Sequence, residues 1–172
     1  VDVALYEAVF NMMEGAVPGY DRYGLVRVPA GSAIQGIAPT NAYPCSDGYV
    51  LIAGNGDSIF KRLMHLIGRD DLGTDPELAR NPGRVARVAE IDQAIGQWAQ
   101  LHTMEQALAQ LATAGVPAGR IFTVKDIVND PHYQARDMLR TIELRDGSTL
   151  RVPGVVPKLS ATPGGFSGGG PE

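Results

Sequence analysis

Residues 41–57, NAYPCSDGYVLIAGNGD, carry the strongest structural signal in this chain. The Ser-Asp-Gly segment at 46–48 is typical of a tight turn, and the apolar run at 49–53 has the composition of a short strand. We therefore predict a β-hairpin over residues 42–54. The Gly-Asn-Gly at 54–56 lacks the Lys-Ser/Thr ending of a phosphate-binding loop, so we interpret it as a turn from the strand into a helix.

Helices are predicted on the C-terminal side of the hairpin. Asp57 or Ser58 is expected to cap a helix whose apolar residues recur at helical spacing until it ends at Gly68. Asp75-Pro76 has the pattern of an N-cap followed by a proline in the first helical turn. A long amphipathic helix is then predicted over residues 84–101.

The C-terminal part of the chain alternates short helices and strands. Thr103 and Gln106 form a capping-box pattern for a helix that ends at Gly115. The elements expected after it are a strand at 120–122, a helix at 124–128, a helix from Asp130-Pro131 and a hairpin over 139–152. This series indicates an α+β fold, in which a short antiparallel sheet packs against helices.

The N-terminal part of the chain is the least regular. Residues 1–14 place Val1, Leu5 and Val9 on one helical face. Because a short helix with such a stripe needs an apolar surface to pack on, we expect the stripe to be exposed in this chain alone. Residues 15–41 are predicted to form a long loop without regular structure, and loops of this length are typically lids or linkers.

The composition narrows the classes of function. The 172 residues carry a formal net charge of -4 and no long basic run, so we expect no nucleic-acid partner. A single cysteine, Cys45, excludes a disulfide within the chain and favours a reducing, cytoplasmic setting. No apolar run approaches the roughly 20 residues that span a membrane, so we expect no membrane partner. The first residues have neither an initiator Met nor a signal-peptide pattern, and we expect the chain to begin inside a longer protein.

Single polar residues form no independent catalytic pattern. No histidine has a second ligand at metal-binding spacing, so we predict no metal site; the three are His65, His102 and His132. Cys45 lies in an apolar strand without a basic neighbour in sequence and is expected to be inert. Trp98 is expected to pack in the core, and Arg84 and Arg87 are expected to pair with acidic neighbours.

Five blocks of the chain occur in an order that matches one known family. They are VDVALYEA at 1–8, GSAIQGIAP at 31–39 leading into 41–57, the segment 82–95 with the helix start at 103–105, AGVPAGRIFTVKDIVNDPHYQARDM at 114–138, and LSATPG at 159–164. Each block alone is a weak signal, but together they extend over nearly the whole chain. On this basis the sequence resembles the class III CoA-transferase family, which includes formyl-CoA transferases, carnitine CoA-transferases and other CaiB/BaiF-like proteins.

The resemblance implies a domain organisation. Members of the family are similar in having a large Rossmann-like domain, a linker, a small domain and a return to the large domain, with two chains interlocked as a dimer. On that pattern, residues 1–30 are the linker helix and loop, residues 31–125 are the small domain, and residues 126–172 begin the return and have a flexible end. The Rossmann-like half is then missing from this sequence, and a homodimer is expected for the full-length protein.

The resemblance also implies a chemistry. The family transfers CoA from a thioester to a carboxylate through mixed anhydrides on one aspartate, which is nucleophilic catalysis. That aspartate belongs to the missing half, so no catalytic residue is assigned here. No bound cofactor is expected, and an acyl-CoA and a carboxylate are the expected substrates. The residues that match the family's glycine-rich covering loop, which excludes water from the activated acyl group, are Gly31, Ser32, Gln35 and Gly36, and these are expected to bind substrate.

Other interpretations stay open. The related α-methylacyl-CoA racemases move a proton next to the thioester carbonyl and use a small-domain glutamate that falls near residues 54–57. Gly56 stands at that position, with Asp57 one residue along, so a transferase is favoured over a racemase. The covering segment is poorer in glycine than that of formyl-CoA transferases, which argues against formyl or oxalate specificity. A free-standing, non-catalytic interaction module is the third possibility, and the chain alone is expected to show no transferase turnover.

Overall fold

A computed structural model describes residues 4–166 of the chain. The chain forms two compact units, Val1–Arg120 and Ile121–Glu172. The described part of the first unit packs helices on a three-stranded antiparallel sheet, and that of the second contains two short helices and a two-stranded hairpin. The predicted α+β class is confirmed. Within residues 4–166, no helix has both the length and the apolar character needed to cross a membrane.

The sheet of the first unit is built around the predicted hairpin. β1 (Thr40–Cys45) and β2 (Gly48–Ala53) pair antiparallel across the Ser-Asp turn, which confirms that prediction. β3 (Ala118–Arg120) pairs antiparallel with the other edge of β2. The strand predicted at 120–122 is therefore misplaced. The edge of β2 pairs with an Ala-Gly-Arg segment and not with the more apolar Ile-Phe after it, because strand pairing overrides intrinsic strand propensity.

Side chains alternate across β2 and define the inner face of the sheet. Val50 and Ile52 are fully buried, whereas Tyr49 and Leu51 are 56% and 42% exposed. This period of two follows from strand geometry. The inner face joins one apolar core with residues of the helices, which include Phe60, Leu63, Met64, Leu72, Leu78, Ile91, Ile95 and Leu111, with Trp98 packed at its edge.

The helix α3 (Asp57–Leu66) starts directly after the Gly-Asn-Gly turn. The predicted cap is wrong, because Gly56 holds the N-cap position and Asp57 and Ser58 are already helical. Asp57 does not cap the helix, since its carboxylate accepts hydrogen bonds from two arginine side chains instead. Gly68, at φ 73°, follows the C-cap and ends the helix as predicted.

The segment after α3 is more broken than the sequence pattern suggests. It contains α4 (Asp70–Thr74), a 3-10 helix (Pro76–Leu78) capped by Asp75, α5 (Asn81–Ala86) and α6 (Val88–Gln100). The single helix predicted over 84–101 is therefore wrong at its beginning. Arg87 separates α5 from α6 with a non-helical φ of -115° and ψ of 28°. In this conformation its guanidinium donates to Asp75 (2.6 Å) and to Glu90 (2.9 Å), which confirms the expected pairing with acidic neighbours.

The helix α7 (Met104–Thr113) has the predicted capping box. The Thr103 hydroxyl accepts from the N–H of Gln106 (3.2 Å), and the Gln106 side chain accepts from the N–H of Thr103 (3.0 Å). Gly115 follows the helix at φ 64°, as predicted. Leu111 buries its side chain in the core, so α7 is fixed both by its cap and by its inner face.

Two short helices precede the sheet, α1 (Leu5–Asn11) and α2 (Ala16–Tyr23). The prediction of a structureless loop over 15–41 is wrong for α2. Pro18 lies in the first turn of this helix, where the backbone N–H groups have no helical partner, so the proline costs no hydrogen bond. Gly24, at φ 66°, ends α2.

The apolar stripe of α1 faces solvent in this chain. Leu5 is 92% exposed and Val9 is 63% exposed, which confirms the expectation for these two residues. Val1 lies outside the described residues.

The second unit contains the elements predicted for it. They are α8 (Val124–Asn129), α9 (Pro131–Ala135), β4 (Leu139–Glu143) and β5 (Thr149–Pro153), with β4 and β5 paired antiparallel. Asp130 caps α9 by accepting hydrogen bonds from two backbone N–H groups. The final residues of the predicted flexible end, 167–172, lie outside the described residues.

Candidate functional site

The four residues expected to bind substrate lie in the connection between α2 and β1. This connection makes two consecutive turns: the N–H of Ala33 donates to Ala30 O (3.2 Å), and the N–H of Ile37 donates to Ile34 O (3.2 Å). The central pairs of these turns are Gly31-Ser32 and Gln35-Gly36, and all four residues are exposed. The structure therefore brings the predicted set together in one short segment, residues 30–37, which we call the two-turn loop.

The two glycines of this loop are required by its backbone. Gly31 has a φ of 63° and Gly36 a φ of 80°, both in the left-handed region where side chains are disfavoured. A Cβ added at either position meets no atom within 4 Å. The constraint is therefore conformational and not steric, and the backbone of both turns is open to an approaching molecule.

A chain of polar side chains reaches the first turn from the core. The Ser32 hydroxyl donates to Asn41 Oδ1 (2.5 Å), and Asn41 Nδ2 donates to Asp92 Oδ2 (3.1 Å). The other carboxylate oxygen of Asp92 accepts from the hydroxyl of Tyr43 (2.6 Å). Sequence reasoning missed Asn41 and Asp92, because these two residues are 51 positions apart and no local pattern links them.

Tyr43 is the inner end of this series of polar side chains, and its burial holds it in place. Its side chain is only 3% exposed. Burial, and secondly the hydrogen bond to Asp92, raise the pKa of the Tyr43 hydroxyl far above its usual range. The hydroxyl therefore keeps its proton at neutral pH and donates it to Asp92.

A second asparagine holds the far end of the two-turn loop. Asn81 Nδ2 donates to Gly36 O (2.8 Å), and Asn81 Oδ1 accepts from the N–H of Ala38 (3.1 Å). These contacts bind the backbone on both sides of Ile37. The first turn is thus held through the hydroxyl of Ser32, whereas the far end is held through main-chain groups.

Arg84 anchors the segment that follows the loop. Its side chain is fully buried and donates to three backbone carbonyls, those of Ala38 (3.1 Å), Leu78 (3.0 Å) and Asn55 (2.8 Å). A fourth bond reaches Asp57 Oδ1 (2.8 Å), which confirms the expected pairing with an acidic neighbour. The role of Arg84 as a tie between three chain segments was not foreseen, since backbone carbonyls leave no signal in the sequence.

Asp57 is held in its ionised form. The hydrogen bond from Arg84, and next that from Arg80 (2.7 Å), hold the pKa of its carboxyl below the usual range. A group with a lowered pKa is a poor proton shuttle near neutral pH. The chemistry that this geometry favours for Asp57 is that of a fixed counter-ion.

Two small cavities flank the two-turn loop. One, of about 200 Å³, lies between the loop and the helices α5 and α6, and its lining is apolar apart from a few groups that include Asp92. The other, of about 170 Å³, is lined by residues of α2 and by Arg27. Gln35 and Gly36 line both cavities, so the second turn forms the wall between them.

The other polar residues singled out by sequence lie apart from this loop. The imidazole of His65 is exposed and pairs with Asp70 (2.9 Å), and that of His102 contacts the carbonyl of Trp98 (2.8 Å). Burial raises the pKa of the Cys45 thiol, which keeps the nucleophilic thiolate scarce. Among residues 4–166, no three histidine, cysteine or acidic side chains gather into a group able to hold a metal ion.

A separate cavity of about 360 Å³ lies in the second unit, against the segment that follows β5. Its charged groups already have partners within that unit. Arg140 forms an ion pair with Asp137, and Lys158 donates to the carbonyl of Arg136. The two-turn loop, whose exposed polar groups include Gln35, is therefore the stronger candidate for contact with a substrate.

Comparison with known proteins gives consistent matches along the whole chain. The sequence model of CoA-transferase family III matches residues 1–172. A succinyl-CoA–D-citramalate CoA-transferase of Chloroflexus aurantiacus is 39% identical over 172 residues, which are 99% of this chain and 43% of that protein. The beta subunit of a succinyl-CoA–L-malate CoA-transferase of the same organism is 33% identical, over 100% of this chain and 43% of the relative. A succinate–glutarate CoA-transferase of Agrobacterium fabrum is 29% identical, over 90% of this chain and 38% of the relative.

Solved structures show the same relation. A CAIB/BAIF family protein from Brucella suis has a TM-score of 0.77 and 30% identity, over 100% of this chain and 44% of the other. A protein from Mycobacterium tuberculosis has a TM-score of 0.74 at 21% identity, over 95% of this chain and 42% of the other, and it supports the fold alone. The chain thus spans less than half the length of each of these relatives and solved structures.

Proposed function

This chain belongs to CoA-transferase family III, and we propose that it is the site-covering portion of an acyl-CoA:carboxylate CoA-transferase. In this proposal residues 1–30 are a linker, residues 31–125 are the small domain, and residues 126–172 begin the return to the large domain. The carboxylate that attacks the thioester belongs to the other portion of the full-length enzyme. The substrates are an acyl-CoA thioester and a free carboxylate, and no bound cofactor is required.

The two-turn loop is the observation that carries this proposal. Its turns are exposed, Gly31 and Gly36 adopt positive φ, and the segment on its C-terminal side is anchored by buried Arg84. A loop of this kind lets peptide groups approach a thioester closely, because no side chain stands in the way at the glycines. A firmly held cover also excludes water from an activated acyl group, which otherwise hydrolyses.

Within the loop, Gln35 is the side chain best placed to meet a substrate. Residues 28–39 carry no charged side chain, so any polar contact from this segment comes from neutral groups. The Ser32 hydroxyl is already bonded to Asn41, whereas Gln35 is exposed and lines both flanking cavities. We assign Gln35 a hydrogen bond to the acyl or carboxylate oxygen, and we assign Ser32 a place beside it.

The names of the relatives support a narrower substrate class. These names pair succinyl-CoA with D-citramalate, succinyl-CoA with L-malate, and succinate with glutarate. We therefore propose that succinyl-CoA is the CoA donor and a small dicarboxylate the acceptor. The presence of only two glycines among residues 31–36 argues against formate or oxalate and supports a dicarboxylate longer than oxalate.

The assembly and setting of the full-length enzyme are also proposals. The exposed apolar stripe of α1, which includes Leu5 and Val9, supports a homodimer in which a second copy covers it. A single, partly buried cysteine supports a cytoplasmic location. No observation on Asp57 favours the racemase alternative, because its two arginine partners keep it ionised.

A chimeric enzyme tests the proposal directly. The part of the Chloroflexus D-citramalate enzyme that matches this chain is replaced by residues 1–172, and CoA transfer from succinyl-CoA to D-citramalate is measured. We expect transfer by the chimera and none by the 172-residue chain alone. A folded chimera without transfer contradicts the proposal, and so does clear thioester exchange by the isolated chain.

A pair of glutamine variants of the chimera tests the role of the loop. Gln35→Ala is expected to lower kcat/KM about tenfold, because one hydrogen bond to a charged or activated oxygen is lost. Gln97→Ala, an exposed change of the same kind on α6, is the matched control and is expected to leave kcat/KM unchanged. Equal kcat/KM values for the two variants exclude contact between Gln35 and substrate.

A further inference from the structure

Tyr43, Asp92, Asn41 and Ser32 form a series of hydrogen bonds from the core to the first turn, and we call this series the latch. Building on the proposed function, we propose that Asn41, oriented by Asp92, is a positioning residue that holds the two-turn loop closed through Ser32. In the full-length enzyme this latch sets how much of the activated acyl group passes to the acceptor carboxylate and how much is lost to water.

Tyr43 and Asp92, the inner half of this series of hydrogen-bonded side chains, are held rigidly. Tyr43 is buried in the core and donates to Asp92 Oδ1 (2.6 Å). Asp92 lies on α6, which is held by the fully buried side chains of Ile91 and Ile95 on either side of it in sequence. The carboxylate of Asp92 is thus fixed both by its helix and by a hydroxyl that keeps its proton.

Asp92 in turn fixes the orientation of the Asn41 amide. A carboxylate only accepts hydrogen bonds, so the amide must present its NH₂ group to Asp92 Oδ2, at 3.1 Å. Asn41 Oδ1 then points the other way, where it accepts from the Ser32 hydroxyl (2.5 Å) and from the N–H of Ala42 (2.9 Å). The flipped amide would place two donors toward Ser32 and Ala42 and lose the bond from the N–H of Ala42. The latch is therefore directional.

The two ends of the loop are held with unequal strength. At the far end Asn81 binds main-chain groups of Gly36 and Ala38, and Arg84 binds Ala38 from the core. At the first turn the exposed Ser32 hydroxyl donates the bond that ties the turn to Asn41, and it also accepts a longer contact from Ala42 N–H (3.3 Å). Breaking the Ser32 bond therefore releases the part of the loop between its two glycines while the far end remains anchored.

Opening at the first turn has a chemical consequence. It exposes the apolar cavity of about 200 Å³ beneath the loop, which also contains Asp92. In the proposed full-length enzyme the loop covers the activated acyl group, so water that enters this space reaches that group. In hydrolysis the water oxygen forms the new bond to the acyl carbon, and the anhydride C–O bond breaks with its electron pair on the enzyme carboxylate. Both protons of the water go to solvent, so two carboxylates result and no other reactant is needed.

Hydrogen exchange on the 172-residue chain tests the latch without any activity. We expect exchange of the Ala33 N–H, which closes the first turn, to become about fivefold faster in Ser32→Ala, Asn41→Ala and Asp92→Asn, the factor expected for one lost hydrogen bond. The double variant of Ser32 and Asn41 should exchange no faster than either single variant, because both changes remove the same bond. Ser148→Ala, which removes a comparable hydroxyl bond to Asp146 (2.6 Å) in the other unit, is the control and leaves loop exchange unchanged.

The chimera then tests the consequence for the reaction. We expect Asn41→Ala to raise the ratio of succinyl-CoA hydrolysis to CoA transfer about fivefold, and Ser148→Ala to leave it unchanged. Unchanged loop exchange in Ser32→Ala, or additive effects in the double variant, overturns the latch. If loop exchange becomes faster but the ratio of hydrolysis to transfer is unchanged, the latch does not protect the acyl group from water. If the unmodified chimera transfers no CoA, the proposed function fails, while the exchange data still decide whether the latch exists.

Discussion

Replacement of the buried Arg84 should lower the free energy of unfolding of the first unit more than any nearby surface substitution does. Arg84→Met keeps most of the apolar stem but removes the donors to the carbonyls of Ala38, Leu78 and Asn55. The side chain is fully buried, so these carbonyls lie where water reaches them poorly. The contact of the guanidinium with the ring of Phe60, at 5.1 Å, is lost as well.

The expected magnitude follows from the three carbonyl bonds. A hydrogen bond from a charged donor contributes about 1.5–3 kcal/mol, and partial entry of water favours the lower end of that range. We therefore expect Arg84→Met to lower the free energy of unfolding by about 3–5 kcal/mol. Asp57 adds little to this sum, because its side chain is 40% exposed and keeps Arg80 as a partner.

Urea unfolding followed by tryptophan fluorescence measures the stability of the first unit. Trp98 is the single tryptophan and packs against the core of the first unit, so its emission reports the unfolding of that unit. The midpoint should fall by about 2 M urea for a transition of typical slope. Arg80→Met is the matched control: it removes the other ion pair of Asp57, but from a side chain that is 83% exposed, and should leave the midpoint nearly unchanged. Equal midpoint shifts in the two variants would refute the assignment of Arg84 as the buried tie.

Two further changes test other parts of the first unit. A hydrogen bond from Arg87 holds the pKa of Asp75 below its usual range, so the stability it contributes is present above about pH 4 and is lost as the pH falls through the lowered pKa. Asp75→Asn keeps an N-cap oxygen but has no carboxyl to protonate. Between pH 4 and pH 2 its melting temperature should therefore fall less than that of the unmodified chain. An equal fall in both proteins contradicts this prediction. In Gly83→Ala the new Cβ overlaps the carbonyl oxygen of Glu77, and we expect a loss of about 1–3 kcal/mol in urea unfolding. Gly96→Ala places its Cβ in open space within α6 and should instead stabilise by about 0.5–1 kcal/mol, so a loss of stability there is the contrary result.

The elements that were predicted correctly are those whose signals are local. The hairpin of β1 and β2 follows from a tight turn next to an apolar run, and the start of α7 follows from the reciprocal bonds of Thr103 and Gln106. These signals involve residues only a few positions apart. The helix α2 was missed because it lies within residues 15–41, where glycines and prolines indicate a loop, although a helix tolerates Pro18 in its first turn.

The four candidate residues were chosen from the sequence, whereas the residues that hold their loop in place were not. The order of the sequence blocks indicated the family and pointed to Gly31, Ser32, Gln35 and Gly36, which the structure gathers in two adjacent turns. The contacts that hold this loop were not predicted, because Asn81 is 45 positions from the carbonyl of Gly36 and Arg84 is 46 positions from that of Ala38.

The amino-acid order alone settled several features that neighbouring residues decide among themselves: the hairpin turn, the capping box at Thr103, the helix ends at Gly68 and Gly115, and the family pattern. It also placed glycine where the backbone needs a positive φ. Only the packed tertiary structure decided which side chain holds which segment. A buried arginine or a carboxylate-oriented asparagine binds whatever backbone or hydroxyl group the core brings within about 3 Å, and that distance depends on how distant parts of the chain pack together.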